Sequence, residues 1–226
     1  MKLAKFLDKY DTVIFDMDGL MIDTEKLLTR FWCEAANHYG YPMTKEHVLG
    51  IRSLAAKYAI PHLKGIFGED FDYYKVRAKR IELMNEFIRQ NGIEKKKGLD
   101  ELLDYLDSTG LKKAVATATD LQRTTLYLGS INIIDRFDKL ICGNMIENGK
   151  PAPDIYLVAA KELELDPSEC IALEDSPNGI RSAHTAGCKP VMIPDLSQPD
   201  EETKKLLYAC CDDLSNVIGV IQKLLR

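Results

Sequence analysis

The stretch "VIFDMDGLMIDTE", residues 13–25, decides how the rest of the chain is read. An apolar run of strand character stops abruptly at Asp16-Met17-Asp18-Gly19. Two carboxylates two residues apart at the mouth of a buried strand repel each other and resist leaving water. Their position calls for compensating groups brought in from elsewhere in the chain.

Four more short apolar runs match the first one, "TVIF" (12–15). They are "KAVA" (113–116), "KLIC" (139–142), "CIAL" (170–173) and "PVMI" (190–193). None alternates cleanly, the pattern of strands buried on both faces. Helical patterns separate the last four: "DLQRTTLYLGSI", "APDIYLVAAKEL", and "SPNGIRSAHTAG", which closes at Gly187. Alternating strand and helix predicts an α/β fold with a Rossmann-like parallel sheet and helices on both faces. The gap after the first strand is different, because nothing between Thr24 and Ile93 reads as a strand. "TEKLLTRFWCEAANHYG" puts Leu27, Leu28, Phe31, Trp32, Ala35 and Tyr39 on one helical stripe, with Thr24 as a candidate N-cap. "FDYYKVRAKRIELMNEFIRQNG" is a longer helix closing at Gly92, and Pro61 is expected to divide two shorter helical pieces between them. The expectation is an all-helical insert over residues 24–93 within a core formed by 1–23 and 94–226.

The 226 residues are 46% hydrophobic and 29% charged, enough for a substantial core in one large domain or two small ones. Net charge is −5 and no basic block appears, which argues against nucleic acid as a partner. "KRIELMNEFIRQ" reads as a solvated amphipathic helix. No apolar run is long enough for a membrane span, and "MKLAKFLDKYD" (1–11) is too short and too charged for a signal peptide. The six cysteines form no CxxC, and scattered reduced thiols fit a cytoplasmic protein. His38, His47, His62 and His184 fall outside every motif and read as structural or solvated.

In an open parallel sheet, ligands bind beyond the carboxyl ends of the strands. Asp16 and Asp18 follow the first strand, Thr117 and Thr119 the second, and Glu174 and Asp175 the fourth. Lys150 lies in "GNMIENGKPAPD" after the third. Taken singly, Thr119 reads as a helix cap, Asp175-Ser176 as a partial cap, and Lys150 as a surface lysine. Taken together they converge on one sheet edge. Like charges about 4 Å apart repel by about 4 kcal/mol at an effective dielectric near 20. A divalent cation turns that repulsion into coordination. Oxygen ligands without His or Cys, with room for water and phosphate, suit Mg²⁺. The Thr117 hydroxyl, the Lys150 ammonium and backbone N–H groups around Gly19 are donors for phosphoryl oxygens. The set points to phosphoryl transfer.

These motifs, in this order and over nearly the whole chain, resemble the haloacid dehalogenase superfamily. "DMDGLMIDTE" matches its first motif, Thr117 in "AVATAT" the second, Lys150 in "GKPAPDIY" the third and "ALEDSPNGI" the fourth. The insert after the first motif resembles the helical cap of the subfamily that contains beta-phosphoglucomutase and many small phosphatases. The resemblance implies that Asp16 is a nucleophile forming an aspartyl-phosphate and that Asp18 is a general acid and then base. It implies Mg²⁺ on the Asp16 carboxylate, the Asp18 carbonyl and Asp175, with Glu174 as ligand or close support. It also implies that Thr117 and Lys150 hold the phosphate, and that Gly19 brings the backbone near the ligand. In the cap, Arg52 in "VLGIRSL" stands where the family's cap loop faces the substrate. A second anionic substrate group and a surface arginine are both open readings of it.

Two positions depart from the mutase pattern: Leu28 replaces a cap histidine, and Asp120 replaces a lysine. The leading expectation is therefore a phosphatase of a small sugar or polyol phosphate, monomeric or weakly oligomeric. A hexose-phosphate mutase is the alternative, and a non-catalytic metal-binding regulatory protein is an alternative of another class. A receiver domain also phosphorylates an aspartate, but its acidic pair and phospho-acceptor lie on separate strands and it lacks the long insert.

Overall fold

The structure is a computed structural model that describes residues 10–52 and 54–225. Most of the N-terminal stretch read as no signal peptide therefore lies outside the described residues. Among the described residues, six strands form one parallel sheet: β1 (Thr12–Phe15), β2 (Lys112–Thr117), β3 (Lys139–Cys142), β4 (Cys170–Glu174), β5 (Lys189–Met192) and β6 (Ala209–Cys210). Their spatial order is β3-β2-β1-β4-β5-β6. β1 is flanked by β2 and β4, with Phe15 opposite Val115 on one side and Leu173 on the other. The chain reverses its direction of travel across the sheet between β1 and β4, where such sheets open a crevice.

Both faces of the sheet are covered, which accounts for the unbroken apolar runs. Val13, Phe15, Val115, Ile171 and Leu173 belong to one hydrophobic cluster. That cluster also takes in α5 (Leu99–Thr109), α6 (Leu121–Ser130) and α10 (Leu214–Leu224). Ile14, Ala114, Ala116 and Ala172 point the other way, into a cluster with α7 (Asp154–Glu162) and α8 (Pro177–Ala186). β6 was not expected from the sequence, because two residues give no periodicity to read. A short α9 (Glu201–Leu206) precedes it.

Between β1 and β2 run α1 (Glu25–His38), α2 (Lys45–Gly50), α3 (Ala56–Phe67) and α4 (Tyr73–Asn91). Their shared cluster includes Trp32, Ala35, Val48, Leu63, Phe71 and Val76. Leu27, Phe31, Met84 and Ile88 instead join the main core. Two short helices do lie between the long ones, but α2 ends at Gly50, α3 begins only at Ala56, and Pro61 sits inside α3. Proline there deprives the Lys57 carbonyl of its usual donor. Both residues are exposed, so water can replace that donor. α4 is amphipathic as read, with most of its surface exposed or half-buried. Its buried stripe is Tyr73, Val76, Arg80, Met84 and Ile88, and it runs through an arginine.

Candidate active site

The site is built where the central strands end. Asp16 is the first residue past β1, held in line by its N–H donating to the Leu173 carbonyl (3.0 Å). The chain then turns tightly, with Gly19 N–H donating to Ile22 O at 2.9 Å. Gly19 adopts φ +85°, in the left-handed region. A Cβ at that position would collide with the Asp175 carboxylate and with Glu25. Gly19→Ala should therefore destabilise the fold by about 1–2 kcal/mol from backbone strain alone, and by more once Asp175 is displaced. Urea denaturation of the variant checks this, and a midpoint unchanged from wild type would contradict it.

Asp16 and Asp18 have different surroundings despite their spacing. One Asp16 oxygen pairs with the Lys150 ammonium. Asp18 accepts a hydroxyl at each oxygen: Thr24 Oγ1 at 2.6 Å and Thr119 Oγ1 at 2.7 Å. Thr24 stands at the N-cap of α1 but makes no capping bond there, because its side chain serves Asp18. Thr119 is not a helix cap either. Asp120 caps α6, accepting from Arg123 N–H at 3.0 Å. Thr117, the last residue of β2, accepts the Thr119 N–H at 3.1 Å and so braces that loop.

Lys150 is one of the most buried side chains, with 1% of its surface exposed. Its Nζ also donates to Ala116 O (3.0 Å) and pairs with Glu174 Oε1 (2.6 Å). Burial opposes its charge, but the carboxylates of Asp16 and Glu174 outweigh that and hold its pKa above the ordinary lysine value. Glu174 ends β4, fully buried, and its Oε1 also accepts the Tyr156 hydroxyl at 2.6 Å. α8 fits against it only because residue 179 is glycine, since a Cβ there would strike the carboxylate. Burial pushes the Asp16 carboxyl up to about 8 and Asp175 well above its usual range, with nearby cations pulling both back.

Asp16, Glu174 and Asp175 offer oxygens that all lie within 4.8 Å of one another. Glu174 Oε2 and Asp175 Oδ1 are buried without a hydrogen-bond partner. Oxygen-only donors with unsatisfied lone pairs fit a hard divalent cation. The Asp18 side chain is outside this group, so any contribution from Asp18 would come through its backbone carbonyl.

Arg52 is buried, which excludes the surface reading. Its guanidinium bonds Asp175, pairs with Glu25 Oε2 at 3.0 Å and donates to Ser197 Oγ at 3.2 Å. Glu25 was not singled out in the sequence. Burial lifts its carboxyl to about 7, against the pull of Arg52. The helical insert also touches the lysine loop, through Ala55 N–H to Lys150 O at 3.3 Å. Asn178 on α8 donates to Arg52 O at 3.0 Å. Between insert and sheet lies a cavity of about 480 Å³, lined by Asp16, Asp18, Thr117 and Lys150 below and by Trp32, Tyr73 and Arg80 above. That volume suits a small metabolite. Tyr156, Thr24 and Arg80 were also missed as site residues. Thr24 carried a signal in retrospect, a hydroxyl two residues beyond the turn that closes at Ile22.

The family described as haloacid dehalogenase-like hydrolase matches residues 13–193. A Thermotoga maritima protein named "Phosphorylated carbohydrates phosphatase" is 29% identical over 185 residues, 80% of this chain and 83% of its own. A Drosophila melanogaster protein named "Probable pseudouridine-5'-phosphatase" is 32% identical over 209 residues, 88% of each. Among solved structures, a beta-phosphoglucomutase of Clostridium difficile superposes with TM-score 0.81 at 23% identity. It covers 96% of this chain and 97% of that one, a likeness of fold.

Proposed function

The chain belongs to the haloacid dehalogenase-like hydrolases, and from that premise we propose that this phosphohydrolase releases phosphate from a small sugar or polyol phosphate through an aspartyl-phosphate at Asp16. The observation that carries the reading is the division of labour between the two aspartates. Asp16 lies against a fixed ammonium, and Asp18 lies between two hydroxyls. Relatives named for phosphorylated carbohydrates and for a phosphorylated nucleoside support the substrate class.

In the first step an Asp16 oxygen attacks phosphorus and the bond to the leaving oxygen breaks. Asp18 delivers a proton to that oxygen. In the second step water attacks phosphorus, Asp18 takes its proton, and the Asp16–phosphorus bond breaks to restore the carboxylate. Threonine hydroxyls both donate and accept, so Thr24 and Thr119 can hold Asp18 with or without its proton. Lys150 favours the Asp16 carboxylate against the burial that raises its pKa, and offsets charge on the transferred group. Thr117 and the N–H groups near Gly19 complete the cradle. Mg²⁺ bound by Asp16, Asp175 and the Asp18 carbonyl, with Glu174 beside it, would neutralise phosphate charge. The insert over residues 24–93 serves as the cap that shapes the pocket.

A panel of phosphorylated metabolites, assayed for phosphate release with Mg²⁺ and with EDTA, tests this reading. Turnover is expected on sugar or polyol monoesters and should disappear with EDTA. Undiminished release in EDTA would sink the metal assignment.

A further inference from the structure

Arg80 sits mid-way along α4 with 5% of its surface exposed. Its guanidinium lies 5.3 Å from the centre of the Trp32 ring, and Nη1 approaches the Met84 sulfur at 3.9 Å. Nε is buried without a hydrogen-bond partner. Among the described residues, no carboxylate forms an ion pair with Arg80 or with Arg77, one turn earlier. Burial, and then the neighbouring cations Arg123 and Arg77, push the Arg80 guanidinium down to about 10, with Tyr127 and Tyr73 pulling the other way. Arg123, on α6, is already engaged, its Nε pairing with Asp120 Oδ2 at 2.8 Å.

Burying a charge without a partner is strongly unfavourable. Stacking on Trp32 offsets only part of that cost, so the aromatic contact alone does not account for the arginine. Any apolar residue would continue the stripe of Tyr73, Val76, Met84 and Ile88 without that penalty. All three arginines open onto the same cavity as Asp16 and Asp18. They come from α4 and α6 rather than from the loops that carry the phosphoryl chemistry. A guanidinium edge presents paired donors that match a carboxylate or a phosphate.

We infer that Arg80, flanked by Arg77 and Arg123, forms a second anion subsite, so that the substrate carries a phosphate or carboxylate besides the phosphate that is removed. This rests on the phosphatase reading above. A sugar phosphate with a neutral far end would leave Arg80 unpaired, which is how a site rejects an analogue lacking an expected polar group.

The test compares matched pairs under Mg²⁺: fructose 1,6-bisphosphate against fructose 6-phosphate, and 3-phosphoglycerate against glycerol 3-phosphate. kcat/KM for phosphate release should favour the member with two anionic groups in at least one pair by about 10-fold or more. Preference in the first pair alone identifies phosphate at the subsite, and preference in the second alone identifies carboxylate. Arg80→Met should bring the favoured ratio toward one, and Arg77→Gln should lower it. Ratios near one in wild type, or a ratio unmoved by both variants, overturn the subsite.

A purely structural Arg80 predicts that Arg80→Met melts well below wild type or fails to fold, and either result overturns the proposal. The subsite predicts a melting temperature at or above wild type, since an unpaired buried charge is removed. A wild type that releases no phosphate, even from p-nitrophenyl phosphate, defeats the phosphatase reading separately. Ligand-induced melting shifts then decide the subsite without turnover. Fructose 1,6-bisphosphate or 3-phosphoglycerate should shift wild type more than the partner with one anionic group, and equal shifts in both pairs overturn the assignment.

Discussion

Asp16→Asn should lower kcat for phosphate release by roughly 10⁴-fold or more, the scale on which loss of a nucleophile costs an enzyme. The substitution keeps the shape of the side chain and removes its attacking oxygen anion. Folding should survive it. The Asp16 carboxyl is pushed up to about 8 by burial, so a neutral amide relieves a desolvation penalty. Lys150 also retains Glu174 as a partner at 2.6 Å. Steady-state release from p-nitrophenyl phosphate, alongside a circular-dichroism melt, separates chemistry from folding. Activity above about one per cent of wild type, with the melt unchanged, would place the nucleophile elsewhere.

Lys150→Met should act on stability as well as rate. The methionine keeps most of the stem but leaves Asp16 and Glu174 facing each other without their ammonium. Breaking a buried ion pair by removing one partner costs about 3–5 kcal/mol. For a chain of this size, each kcal/mol moves the melting temperature by about 2–4 °C. A fall of roughly 6–20 °C is therefore expected. In the Asp16→Asn background the same substitution should cost less, because one of the stranded carboxylates is gone. Additive effects in that cycle would mean that the contact between Lys150 and Asp16 carries no energy.

The parallel sheet was legible because burial on both faces erases alternation, and runs such as "CIAL" are too short for a helix and too apolar for a surface loop. The polar residues at the strand ends stood out against those runs, and the fold gathers Asp16, Thr117, Lys150, Glu174 and Asp175 at one edge. The contributions of the insert were not legible. Glu25 and Arg80 lie on helices, where charged residues are normally solvated, and only tertiary packing buries them. Arg52 had two open readings for the same reason. Thr119 and Asp120 are adjacent and both suit a cap, so local propensity could not rank them. Pro61 looked like a break because its exposure, which makes it tolerable in a helix, is a tertiary fact.

The hydroxyl of Thr24 has a consequence for anyone recombining these enzymes. Exchanging the helical insert between relatives, with the graft cut before Thr24, removes one of the two groups that aim Asp18. Glu25, the next residue, belongs with the graft because it pairs with Arg52 inside the insert. The workable junction falls between the two. The return junction has to be cut in register with it, because the outgoing and returning strands are stitched together, Asp23 N–H to Glu94 O at 2.9 Å and Lys96 N–H to Met21 O at 2.9 Å. A chimera that respects both seams replaces the insert's side of the cavity and leaves Asp18 held between its two hydroxyls.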